Sequence, residues 1–177
     1  MSGMTKAFPH AKQTIDKFHV MKLLGDEVDE TRRKEQREAP ELKKTRYLWL
    51  RNERDLTKEQ QERLANLSDS HLKTAKAYQL KIAFQAFWGS SLRIAPLHLQ
   101  IWYEWAMRSR IPDMVKAAKT IRKHAAGILR WFETKMTNGL TEAINGLIQA
   151  AKRKARGYRT TRNLIAIIYL IGGKFDL

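Results

Sequence analysis

Two carboxylates stand where ordered backbone would hold them: Asp16, closing a short run that ends in Thr14 and Ile15, and Glu142, in the first turn of a helical pattern. Fixed carboxylates are what Mg²⁺ takes, because it is a hard cation bound by a few protein oxygens together with water and phosphate. Two such ions can flank a phosphodiester, one activating the attacking oxygen and the other steadying the leaving one. After Glu142 no acid follows until Asp176, while Lys152, Arg153, Lys154, Arg156, Arg159, Arg162 and Lys174 intervene. The stretch KRKARGYR, with Gly157 and Tyr158 among its cations, has the composition of a nucleic-acid contact. It would place phosphate-gripping side chains at the far end of the helix that carries Glu142.

Each of these residues also has a structural reading. An acid in the first turn of a helix complements the helix dipole, and a strand-end Asp before Lys is a turn or cap residue. Spacing alone favours those readings for Asp16 and Glu142. A basic tail can simply be solvated. His19, His71, His98 and His124 read as core or surface residues, since no pair of them has zinc-ligand spacing. Trp102, Tyr103 and Trp105 read as core residues, with base stacking the minor alternative.

The bulk properties narrow the class. A chain of 177 residues with 43% hydrophobic residues is long enough for one domain with a core. A formal charge of +16 favours a polyanion as partner, because each neutralised phosphate releases a condensed counterion. The basic residues are not laid out as one amphipathic surface helix, so an anionic membrane fits less well. Absence of cysteine excludes disulfides and thiolate metal sites. MSGMTKAFPH lacks a signal-peptide apolar run, and LIAIIYLI (164–171) is too short to cross a bilayer and reads as a buried helix or strand. The expected location is the cytoplasm.

The elements that must position the two acids are mostly helical. A short strand near Gln13–Ile15 is expected to lead into a helix from Lys17 with Phe18, Met21, Leu24 and Val28 at helical spacing. Its continuation is dense in both signs of charge and reads as a solvated helix ending at Pro40. Thr57 with Gln60 forms a capping-box signature. The next helix places Leu72, Ala75, Gln79, Ile82, Ala83 and Ala86 on one stripe, with Gly89 as its stop. Pro96 and Pro112 each open a further helix, the latter running to Met136 with Val115, Ala118, Ile121, Ala125, Ile128 and Phe132 in register. Asn138-Gly139 breaks it. In the helix after that, Leu140, Ala143, Ile144, Leu147, Ala151 and Ala155 define one apolar face. A lone strand cannot satisfy its own hydrogen bonds, so Gln13–Ile15 would need partners that this chain does not evidently contain.

Several blocks, taken in order, carry a resemblance: FPHAKQTI followed by DKFHV, then DEVDETRR, LKTAKAYQLKIAFQAFW, HAAGIL and TNGLTEAINGLIQAAKRKARGYR. Together they resemble the insertion-sequence L-three family of DDE transposases. The resemblance implies a ribonuclease-H-like core whose three acids bind two Mg²⁺ ions for cleavage and transfer of DNA strands. Asp16 would be the second acid and Glu142 the third. Residues 1–20 would be the end of a core strand, 21–136 a helical insertion, and 137–177 the final catalytic helix with a basic C-terminal segment. The overall expectation is a mainly α chain, the C-terminal part of such a core, with at most one or two short strands.

The implied partner is transposon-end DNA, contacted by Lys152, Arg153, Lys154, Arg156, Tyr158, Arg159 and Arg162. Self-association is compatible with it, and neither a membrane nor a small-molecule substrate is expected. The missing sheet partners would lie upstream in a longer enzyme. The family's first aspartate has no counterpart in these residues, so weak Mg²⁺ binding and no catalysis by this chain alone are expected. The alternative is a basic helical DNA-binding remnant without chemistry.

Overall fold

The computed structural model describes residues 14–135 and 139–172, apart from the side chains of Leu140, Thr141, Ile144 and Gly172. Of the positions discussed above, Gln13, Met136, Asn138, Lys174 and Asp176 lie outside them. The chain divides into two compact units, Met1–Met136 and Thr137–Leu177. Each is described by itself.

The first unit is built from α1 (Lys17–Glu35), α2 (Arg46–Leu50), α3 (Lys58–Ser68), α4 (Lys73–Phe87), α5 (Ala95–Arg108), α6 (Pro112–Lys123) and α7 (Ala125–Thr134), with 3-10 turns at Pro40–Leu42 and Glu53–Asp55. The long helix α1 packs chiefly on α4 and α6, and α5 bridges α4 and α6. An aromatic cluster closes the core: Phe84 meets Trp102 edge-on at 4.6 Å, Phe87 meets Phe132 at 5.0 Å, and Trp88 meets Trp131 at 5.1 Å. Such offset and edge-to-face pairs add to the area that these rings bury. Trp102 also donates its indole N–H to the Leu80 carbonyl at 2.8 Å, which ties α5 to α4.

The mainly helical expectation holds, and the described residues contain no strand. Thr14 and Ile15 are irregular backbone, and the Ile15 N–H donates to the Gly127 carbonyl at 3.0 Å instead of joining a ladder. The capping box is present as read: Gln60 N–H donates to Thr57 Oγ1, and the Thr57 N–H donates to Gln60 Oε1.

Other expectations are corrected. The charged continuation of α1 is only in part a solvated face: Arg33, Lys34, Arg37 and Glu38 are exposed, whereas Glu27, Asp29 and Arg32 are buried. Each buried charge is neutralised across the fold or along the helix: Asp29 accepts from Arg32, Arg33 and Arg46, and Glu27 from Lys116. The helix stops at Glu35, before Ala39 (φ −120°, ψ 86°), where the following Pro40 disfavours helical backbone. In α4 the buried face is Thr74, Ala77, Tyr78, Lys81, Phe84 and Phe87 with Ala75 and Leu80, whereas Gln79, Ile82 and Ala86 are exposed. The large rings choose the inward face because they bury the most area, and that face accepts a lysine between them.

The helix from Pro112 breaks at His124 into α6 and α7, although Ala118, Ile121, Ile128 and Phe132 are buried as expected. The break lets α6 lie on α1 while α7 turns its rings onto the aromatic cluster. Phe18 is 62% exposed and Trp105 44%, so neither is a core residue.

The second unit pairs α8 (Gly139–Lys154) with α9 (Thr161–Gly172). The run 164–171 is helical but not buried within this unit: Ile165, Ile168, Tyr169 and Leu170 are exposed. On α8, Leu147 is likewise exposed and Ala151 half-buried. No helix among the described residues is long and apolar enough to cross a membrane.

Candidate nucleic-acid interface and acidic site

Asp16 is the N-cap of α1. Its backbone is extended (φ −67°, ψ 138°) and its Oδ1 accepts the Phe18 N–H at 2.7 Å. A short acidic side chain is preferred there because it satisfies one of the orphan amides at a helix start and meets the positive end of the dipole. The residue is buried, and the Ile15–Gly127 hydrogen bond anchors the backbone just before it to α7. Glu142 is exposed in the first turn of α8. Asp16 belongs to the first unit and Glu142 to the second.

The structure gathers the predicted basic residues at one place, the α8–α9 turn. Lys152, Arg153 and Lys154 occupy the last turn of α8. The helix then ends in a Schellman pattern: the Arg156 N–H donates to the Arg153 carbonyl at 3.0 Å and the Gly157 N–H to the Lys152 carbonyl at 2.9 Å. Arg156 (φ 51°) and Gly157 (φ 96°) are both left-handed. Glycine adopts that conformation without strain, but an arginine there costs on the order of 1–2 kcal/mol. Thr160 restarts the helix, its Oγ1 accepting the Asn163 N–H at 3.3 Å. Lys152, Arg153, Lys154, Arg156, Arg159 and Arg162 are all exposed and Tyr158 is half-buried, so the reversal presents its cations to solvent. Cations in the last turn of α8 also suit its negative dipole end, which is a structural reason for three of them.

Lys81 carries no motif and has no signal in the sequence pattern, yet it is buried in the face of α4 that meets α1 and α2. Its Nζ donates to the Trp49 carbonyl at 2.7 Å and reaches the Leu50 carbonyl at 3.4 Å, closing the C-terminal end of the short helix α2. Burial pushes its ammonium down from the ordinary 10.5 to about 8. The unfolded chain therefore holds that proton up to a higher pH than the folded one does, and stability rises as pH climbs from about 8 to 10.5. Chemical denaturation across that range should show a gain of about 3 kcal/mol attributable to this group. The gain should be absent from Lys81→Met; an identical pH slope in the two proteins would refute the assignment.

The donor chemistry of Asp16 and Glu142, carboxylate oxygen, is the kind Mg²⁺ requires. Asp16 already spends Oδ1 on the α1 cap, so an ion there would share that carboxylate with the helix. Among the described residues no three His, Cys, Asp or Glu side chains converge as a metal site, and His19, His71, His98 and His124 form no such group.

The comparisons with known proteins agree with the block-wise resemblance. The chain matches the ISL3-type (insertion-sequence L-three) family model, described as Transposase, over residues 1–168. It is 27% identical to the transposase for insertion sequence element IS1557 of Mycobacterium tuberculosis, covering 94% of this chain and 44% of that protein. It is 30% identical to the transposase for insertion sequence element IS1001 of Bordetella parapertussis, covering 85% of this chain and 39% of that protein. The chain thus spans less than half the length of these relatives. No solved structure matches it significantly. Because the family match runs through both units and both candidate acids, the chain belongs to the ISL3-type transposase family.

Proposed function

We propose that this chain is the C-terminal part of a transposase catalytic region, acting in the cytoplasm on transposon-end DNA within a longer ribonuclease-H-like enzyme. In this reading Asp16 and Glu142 are two of the acids that hold Mg²⁺, and the α8–α9 turn holds the DNA backbone. Bound Mg²⁺ would supply the charge stabilisation for phosphodiester cleavage and strand transfer. The chain's own contribution is positional: α1 holds the Asp16 carboxylate at its N-terminus, the first turn of α8 carries Glu142, and the Schellman reversal fixes six cations. The observation that carries the reading is the convergence of the basic residues on one exposed turn, at the end of the helix that Glu142 opens.

Neutralising Lys152, Arg153 and Arg156 together (each to Gln) should weaken duplex DNA binding about 10- to 100-fold at moderate salt. The slope of log affinity against log salt should also become shallower, by nearly one for each phosphate that is no longer neutralised and roughly two to three in all. Fluorescence anisotropy on terminal-repeat DNA measures both. Unchanged affinity would remove the turn from the interface.

A second reading, a DNA-binding protein without chemistry, is favoured by one specific fact: the Asp16 carboxylate has a complete structural job as a helix cap. Under that reading Glu142→Gln and Asp16→Asn leave every DNA-linked activity intact. Under the first reading they abolish cleavage while leaving binding in place.

A further inference from the structure

Beside the Asp16 cap, a groove of about 740 Å³ runs between α1, the end of α2 and α4. That is within the roughly 300–1,000 Å³ of sites that enclose a small-molecule-sized group. Phe18 stands at its rim with most of its ring in solvent, although it begins the apolar pattern of α1. Lys17 and Lys22 flank that ring in sequence, Lys81 lies in the lining, and Asp26 is the one acid among the lining residues. None of the three lysines forms an ion pair with a described residue, but Lys81 spends its ammonium on the Trp49 and Leu50 carbonyls and Lys17 Nζ lies 5.7 Å from the Trp131 ring centroid, which leaves Lys17 and Lys22 as the cations open to a ligand. The Asn52 and Gln85 carboxamides, which can both donate and accept, line the same space.

An exposed ring flanked in sequence by Lys17 and Lys22, which pair with no carboxylate among the described residues, in a groove that carboxamides also line, complements one chemistry well. The phosphates of a nucleic-acid strand answer the lysines, and an unstacked base answers the ring and the amides. A duplex answers only the first, because its bases are stacked on one another and offer no free face to Phe18. A neutral apolar peptide would leave Lys17 and Lys22 without a counter-charge.

We propose that this groove binds single-stranded DNA, with Phe18 stacking on an unpaired base and Lys17 and Lys22 contacting the phosphates on either side of it. The inference rests on the DNA-binding reading above and adds a strand-specific site to it. Phe18 lies two residues from Asp16, so a strand held here would pass next to the candidate catalytic acid in sequence and in space.

The test uses the full chain and a labelled mixed-sequence oligonucleotide of about 12 nucleotides, offered single-stranded and as a blunt duplex. Phe18→Ala should weaken single-strand binding about tenfold while changing duplex binding by less than about twofold. Phe18→Trp should restore it. Phe18 is exposed, so the folded state tolerates both changes, and circular dichroism confirms it. If Phe18→Ala leaves single-strand affinity unchanged, or lowers both affinities equally, the groove is not the site. If instead the parent chain binds neither form, the DNA-binding reading itself falls. Loss of duplex binding on neutralising the α8–α9 turn, with single-strand binding indifferent to Phe18, would overturn the groove alone.

Discussion

Asp16→Asn is expected to abolish Mg²⁺-dependent cleavage of terminal DNA while leaving the fold intact. Asparagine caps a helix about as well as aspartate, since its carbonyl oxygen can accept the same Phe18 N–H. The lost charge at the helix start costs about 0.3–1 kcal/mol. For a chain of this size that lowers the melting temperature by only a few degrees, at about 2–4 °C per kcal/mol. The carboxamide is a poor ligand for a hard cation, so the chemical step should fall by on the order of 10³-fold, the upper end for removing one preorganised electrostatic group.

The assay supplies an upstream transposase fragment in trans with this chain, so that all three family acids can be present. Asp16→Ala is the contrasting variant: it removes both charge and cap, costing about 1 kcal/mol in stability as well. Cleavage by Asp16→Asn at the parent rate would assign the residue to the helix cap alone.

The largest effect on stability is expected at Asp29, a residue with no part in the proposed chemistry. Its Oδ1 receives Arg32 Nε at 2.8 Å and Nη2 at 2.7 Å, while its Oδ2 receives Arg33 at 3.1 Å and Arg46 at 3.2 Å. Arg32 is itself buried, and also donates to Gln36 Oε1 at 2.9 Å. Asp29→Ala strands that guanidinium without a carboxylate, a situation that costs about 3–5 kcal/mol. The melting temperature should fall by roughly 10 °C. Arg33 and Arg46 are about half exposed and rehydrate, so they add little.

The double change Asp29→Leu with Arg32→Met should recover much of the loss, because the buried charge disappears along with its partner. A drop of less than about 1 kcal/mol for Asp29→Ala would show that water reaches Arg32 and that the cluster is a surface pair in effect.

Both residues show how far local pattern reaches. The existence of most helices is legible from apolar spacing, from Pro96 and Pro112, and from the Thr57 capping box, because propensity, prolines and caps act within one or two turns. The helix faces are less legible. In α4 the interval between Tyr78 and Phe84 contains Lys81, and a pattern reading that rejects lysine inside a core slides onto Gln79 and Ile82 instead. Lysine belongs there because the open carbonyls of α2, more than thirty residues upstream, need a donor. Spacing within α4 carries no information about them. The same holds at Asp29 and Arg32, which look solvated until Arg46 and the 3-10 turn at Pro40–Leu42 close over them. The break in the helix from Pro112 is hidden for a related reason: its apolar register survives the turn at His124, and only packing on two different neighbours requires that turn.

The sequence by itself determined the helical class, the surplus of cations, their concentration after Glu142, and the ordered blocks that mark the family. These depend on composition and short-range spacing, which every conformation of the chain shares. Tertiary structure alone decided that Ile15 donates to the Gly127 carbonyl instead of joining a ladder, that charged residues of α1 are interior, and that Phe18 stands exposed beside a groove that lysines line. Those outcomes depend on which distant groups arrive to satisfy a carboxylate, an amide or a ring, and burial energies are set by that arrival.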